Sequence, residues 1–135
     1  MLATQALNKE QYRDIITTYF EAFDTGDYSP VQFSPNIKFL SPLSQNTFDG
    51  VETVSNFLTG VSTRVAEVNI FSTTVEYPTA SGVWEMKTTK GTVYTLNNFF
   101  RLDEQGIAYI WPMFDPKAIA EDPDRFIAWL TGEGY

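Results

Sequence analysis

Asn98 and Asp115 are polar residues on an otherwise apolar face, which makes them the first candidates for chemistry in this chain. Both lie in a stretch where TVYTLNNFFRL runs into the turn DEQG and returns as IAYIWPMFD. Alternation sorts each arm by face. Tyr94, Leu96, Asn98, Phe100 and Leu102 point one way on the first arm. With Leu102 set opposite Ile107 across the turn, their expected partners are Ile107, Tyr109, Trp111, Met113 and Asp115. Burying an unpaired polar group costs roughly 1–3 kcal/mol, so an amide and a carboxylate on that face are either satisfied by neighbours or kept for a ligand. Desolvation in an aromatic cavity raises a carboxylate's pKa and makes it a base near neutral pH. Asp115 precedes Pro116 at a strand end, a place that also suits an exposed cap.

Composition narrows the chemistry. Cysteine and histidine are both absent from the 135 residues. Disulfides, thiolate nucleophiles and structural zinc are therefore excluded, and so is the commonest general base. Acid–base work would fall to Asp, Glu, Tyr or Lys; no metal and no cofactor is implied. The net charge of −8 argues against nucleic acid or an anionic membrane surface as partner. Aromatic residues reach 16%, which suits a chain that lines a cavity as well as filling a core. The segment MLATQALNKEQ has neither a basic start nor an apolar run, and no stretch approaches the ~20 apolar residues of a membrane span. A soluble cytoplasmic protein of one domain, residues 1–135, is expected.

The elements that must position these groups follow in order. Asn8 and Gln11 form a capping box. Tyr12, Ile15, Ile16, Tyr19, Phe20 and Phe23 then make one helical stripe, ended at Gly26. Residues 28–35 predict a short helix or turn anchored by Val31 and Phe33, and residues 37–41 a strand stopped at Pro42. The segment SPLSQNTFDG is a polar loop long enough to border a site. A helix opening at Asp49 or Gly50 carries Val51, Val54, Phe57, Leu58 and Val61. Strands are predicted over 65–76 and 82–89, separated by a turn from Tyr77-Pro78 to Ser81-Gly82. Pro112 inside a strand requires an edge or a bulge. Asp122 and Pro123 start a last helix with Phe126, Ile127, Trp129 and Leu130 on its apolar face.

Three stretches in this order resemble the nuclear transport factor 2-like superfamily, which includes ketosteroid isomerases and SnoaL-like polyketide cyclases. They are YFEAFDTGDYSPVQF with SPNIKFLSP, then FDGVETVSNFL, then NNFFRLDEQGIAYIWPMFD, together about residues 10 to 116. The resemblance implies an α+β fold: a cone-shaped curved antiparallel sheet of about four to six strands wrapped around three N-terminal helices, plus a C-terminal helix. Against the ketosteroid isomerases, the oxyanion-hole tyrosine falls on Tyr19 and the second oxyanion donor on Asn98, whose amide can still donate a hydrogen bond. The catalytic base falls on Ser41, which cannot abstract a carbon-bound proton unaided. In the SnoaL-like branch an acid–base Asp near the end of the last strand corresponds to Asp115. Glu85 has the facing of a pocket residue, though a one-residue slip would turn it out.

The implied function is a mostly apolar pocket for a small hydrophobic molecule, such as a polyketide, terpenoid or steroid-like ring. Tyr19, Ser41, Phe57, Glu85, Leu96, Asn98, Phe100, Trp111 and Met113 would line it. If the protein is an enzyme, Tyr19 and Asn98 would polarise an oxygen while Asp115 moves a proton in isomerisation, cyclisation, dehydration or epoxide opening. The alternatives are a non-catalytic carrier or sensor using the same cavity, and an assembly module in which the cavity is vestigial. Trp84 and Met86, on the face opposite Glu85, suggest an outer sheet face covered by a second copy, a homodimer of the kind this superfamily forms.

Overall fold

Helix α1 (Lys9–Thr25) forms where its capping residues and apolar stripe require it. Asn8 accepts from the Gln11 backbone amide, Gln11 reciprocates, and Gly26 closes the helix in the left-handed conformation at φ 75°. The structure is a computed structural model that describes residues 7–42 and 46–133. Tyr12, Ile16, Tyr19, Phe20 and Phe23 are all buried on the inner side of α1.

The described chain continues as β1 (Phe33–Leu40), β2 (Thr47–Asp49), α2 (Val51–Ser62), β3 (Val65–Glu76), β4 (Thr79–Thr88), β5 (Val93–Asp103), β6 (Gly106–Phe114), α3 (Pro116–Glu121) and α4 (Pro123–Thr131). The strands form one curved, unclosed sheet in the order β2-β1-β6-β5-β4-β3. All neighbours are antiparallel except β1 and β6, which run parallel. The α+β cone expected from the sequence is therefore present, with a mixed sheet.

Of the short helix or turn expected over 28–35, the structure has the turn, which leads into β1. Val31 and Phe33 are buried as expected, but they alternate as an extended chain does. Pro35 falls between Phe33 and Lys38, where the β1–β6 register shifts, a place that tolerates a missing backbone donor. The turn after β3 is also tighter than expected: Tyr77 and Pro78 alone separate the strands. Helix α3, capped by Asp115, was not foreseen.

The closing hairpin carries the main correction. Leu102 does face Ile107, but Arg101 pairs with Tyr109 and Phe100 with Ile110. Ala108 is the extra residue of a bulge, and one extra residue turns every later side chain to the other face. The first arm keeps its expected facing: Tyr94, Leu96, Asn98, Phe100 and Leu102 are all buried. On the return arm Ile107 and Ile110 are buried while Trp111 is 44% and Met113 37% exposed. Pro112 now lies opposite Asn98 and Phe114 opposite Leu96. The assigned β1 pairing reaches only Ile110 on β6, so Pro112 lies where β6 has β5 as its one neighbour and needs no outward donor.

The same pairing fixes β4. Trp84 lies opposite Leu96 and Met86 opposite Tyr94, on the inner face, and both are almost fully buried. They cannot form an outer dimer face, contrary to expectation. Glu85 points outward and accepts a hydrogen bond from Asn69 Nδ2 at 3.0 Å. Gly82 lets α1 approach this face: a Cβ there would lie 2.7 Å from Phe20 Cζ.

Candidate functional site

Tyr19 and Asn98 meet inside the cone. Tyr19 comes from mid-α1 and is held edge-on by Phe23 at 5.5 Å and Phe100 at 5.7 Å between ring centroids. Asn98 comes from mid-β5 and is completely buried. Its Oδ1 accepts from Trp84 Nε1 at 3.0 Å. An indole nitrogen only donates, so this bond fixes which end of the amide is oxygen. Nδ2 is buried within reach of the Tyr19 phenol but meets proper hydrogen-bond geometry with no partner among the described residues. Burial pushes the Tyr19 phenol well above its ordinary pKa, with Tyr28 adding to the rise and the Asn98 side chain opposing it. The phenol therefore stays protonated and available as a hydrogen-bonding group.

Both side chains border an apolar hollow whose other walls include Phe57, Trp84, Leu96 and Phe114. Its volume is about 20 Å³, room for about one water molecule. Two residues of α4, Trp129 and Leu130, complete it. Next to it an open groove of about 430 Å³ runs between α2 and α4, with Ser41, Phe57, Arg64 and Leu130 on its walls. Phe57 and Leu130 border both spaces.

The sequence-derived candidates divide into two groups. Tyr19, Phe57, Leu96 and Asn98 converge on the hollow, Phe100 supports Tyr19 from behind, and Ser41 borders the outer groove. Trp111 and Met113 lie on the opposite side of the sheet, with Phe99, Arg101 and Tyr109 around a shallow outer concavity. Asp115 is an exposed N-cap whose carboxylate accepts from the Lys117 amide at 3.0 Å, and Glu85 faces outward. Neither acid–base candidate reaches Tyr19 or Asn98, because the Ala108 bulge and the β4 pairing turn both away. Among the described residues that wall the hollow, Tyr19 is the sole titratable side chain.

Trp84, Phe114, Trp129 and Leu130 are wall residues the sequence reading missed. For Trp84 the signal was available: it shares the period-two face of Gly82 and Met86. For Phe114 it was hidden behind the bulge. Among the described residues no group of three Asp, Glu, His or Cys side chains converges as a metal site requires. No described helix is long and apolar enough to cross a membrane.

Solved structures share this architecture at low identity. A steroid delta-isomerase from Pseudomonas aeruginosa superposes with a TM-score of 0.66 at 16% identity, over 95% of this chain and 99% of its own. A putative polyketide cyclase from Sinorhizobium meliloti gives 0.64 at 17%, over 79% and 100%. An NTF2-like protein of unknown function from Cytophaga hutchinsonii gives 0.65 at 16%, over 88% and 99%. The likeness is one of fold, and the fold is nuclear transport factor 2-like. A comparison with curated proteins gave no match. The family profile described as a domain of unknown function (DUF4904) matches residues 7–135, and the chain belongs to that family.

Proposed function

We propose that this protein is a non-catalytic receptor, a carrier or sensor, for a small apolar molecule bearing one hydrogen-bond-accepting oxygen. The observation that carries the reading is the Asn98 amide: a fully buried donor that meets proper hydrogen-bond geometry with no partner among the described residues, within reach of a protonated phenol, in a hollow otherwise walled by hydrocarbon. A ketone or hydroxyl oxygen placed there would satisfy Nδ2 and remove the cost of the orphaned donor. Fused-ring molecules of the steroid or polyketide kind have this chemistry, and the isomerase and cyclase with the same fold support that size class. Proton transfer is not favoured, because Asp115 and Glu85 lie outside and Ser41 borders the groove. A ring ligand occupies a pocket of roughly 300 Å³ or more, so binding requires wall side chains to withdraw.

The test compares 2-acetonaphthone with 2-ethylnaphthalene, two probes of similar shape that differ in the carbonyl. Calorimetric titration should show the ketone bound at least tenfold more tightly, and Asn98→Leu should erase that preference while retaining weak binding of both. Equal binding of the two probes by the native protein would overturn the reading.

A second reading concerns assembly. Phe99, Tyr109, Trp111 and Met113 form an apolar patch on the outer face of β5 and β6, and patches of this kind mark association sites. The expected homodimer, reassigned from Trp84 and Met86, would use this face. Sedimentation of native protein against Trp111→Glu tests it: the native chain should be dimeric and the variant monomeric.

A further inference from the structure

We propose that α4 is a displaceable plug of the hollow and that Arg64 is its latch. The inference rests on the receptor reading and adds how the ligand would gain entry.

Most walls of the hollow belong to elements knitted into the sheet or packed directly on it. Trp129 and Leu130 differ, because they come from a nine-residue helix beyond the last strand. A helix so short is marginal in water on its own, so docking alone keeps α4 folded. Aromatic packing and hydrogen bonds hold it, a long bond from Arg125 Nη1 to Thr92 Oγ1 at 3.4 Å near its start among them. Trp129 packs on Tyr94 at 5.0 Å between ring centroids, and Phe126 lies edge-on to Phe114 at 4.9 Å. The attachment at its C-terminal end is polar and local. The Arg64 guanidinium donates to the Trp129 and Leu130 carbonyls, two of the acceptors that a helix C-terminus leaves unpaired. Trp129 Nε1 donates back to the Arg64 carbonyl at 3.1 Å. One residue between α2 and β3 thus grips the end of α4 at both its backbone and its indole.

Geometry places this grip at the entrance. Leu130 borders both the hollow and the open groove, and Arg64 lies on the groove wall. Release of the Arg64 bonds would let Trp129 and Leu130 swing out. The 20 Å³ hollow would then join the groove, and the Asn98 amide would become reachable from solvent. Glycine at position 132 is part of the device. It holds φ +76°, and a Cβ there would lie 2.8 Å from Arg64 Nη1.

The experiment uses the full chain with hydrogen exchange and 2-acetonaphthone titration side by side. In the native protein the α4 amides should exchange through an opening that leaves the β5 amides protected. Arg64→Ala should speed α4 exchange at least tenfold without changing β5. It should also tighten the apparent ketone affinity by a similar factor, since affinity scales with the open fraction. Gly132→Ala, which disturbs the latch from the other side, should act in the same direction. Exchange of α4 only together with β5, in the native chain and both variants, would overturn the plug. Faster α4 exchange with unchanged ketone affinity would also overturn it, while leaving the receptor reading intact. If α4 opens and no variant binds the ketone, the receptor reading fails, and α4 gates nothing.

Discussion

Trp84 Nε1 lies 3.0 Å from Asn98 Oδ1, and this bond turns the amide nitrogen of Asn98 away from the indole and toward the Tyr19 phenol, where it finds no proper hydrogen-bond geometry among the described residues. A buried asparagine with both ends well paired would be ordinary core; one whose donor lacks good geometry beside a phenol is what the proposed receptor reading rests on.

The pair should be energetically coupled. Asn98→Leu strands the indole donor, which costs about 1–3 kcal/mol. Trp84→Phe introduced into that background should cost less than in the native chain, because its lost hydrogen bond is already gone. Urea unfolding of the two single variants and the double variant measures the difference as a cycle, and additive costs would show that the bond contributes nothing.

Register is testable by charge. Trp111→Glu and Met113→Glu, on the outer face, should change monomer stability by no more than about 0.5 kcal/mol. Phe114→Glu, one residue further on, should destabilise the chain by about 1–3 kcal/mol because the charge would be half-buried among aromatic rings without a partner. Circular dichroism with thermal melts separates the cases. The reverse pattern would restore strict alternation from Ile107.

Asp115 should behave as a cap and nothing more. Asp115→Ala should lose about 0.5–2 kcal/mol, the usual cost of removing an N-cap, while Asp115→Asn should be nearly silent in stability and in ketone binding. A large loss of function in Asp115→Asn with the fold intact would revive it as an acid–base group.

Alkali should unfold the protein through its tyrosines. Burial, reinforced by Tyr77, Asp103 and Glu104, pushes the Tyr12 phenol up to about 12. Burial also raises Tyr28, opposed by its hydrogen bond with Ser62, and Tyr19 is raised as well. The unfolded chain releases these protons near pH 10, so stability is fully present below about pH 10 and falls as the pH rises toward 12. Absorbance at the phenolate band should show these three ionising together with loss of the fold.

Close approach of α1 to the sheet can be probed at Gly82. Gly82→Ala drives a methyl against Phe20, and overpacking of this kind costs about 1–3 kcal/mol. Adding Phe20→Leu should recover part of the loss in denaturant unfolding.

Local signals carried much of the fold. The Asn8–Gln11 box, Gly26 and the Asp122-Pro123 start marked helix ends, and period-two alternation placed β3 to β5. The first arm of the closing hairpin, and with it Asn98, was read on the correct face. Alternation failed on β6 because it assumes no bulge, and Ala108 has no side chain large enough to advertise one. The buried pair Ile107 and Ile110, three apart, was the available clue. Parallel pairing of β1 with β6 was not legible, since it depends on segments some seventy residues apart (Phe33 and Ile107). Nor was the site complete in sequence, because Trp129 reaches it only through the docking of a distant helix.

Ala108 gives β6 two possible interiors encoded on one strand. Pairing that residue in regular register would rotate the run beyond it by one step, drawing an indole and a thioether inward and expelling the Phe114 ring. Deleting Ala108 outright would instead straighten the strand and keep the later pairs, so the wall of the chamber and the amide on the neighbouring strand would both stay where they are.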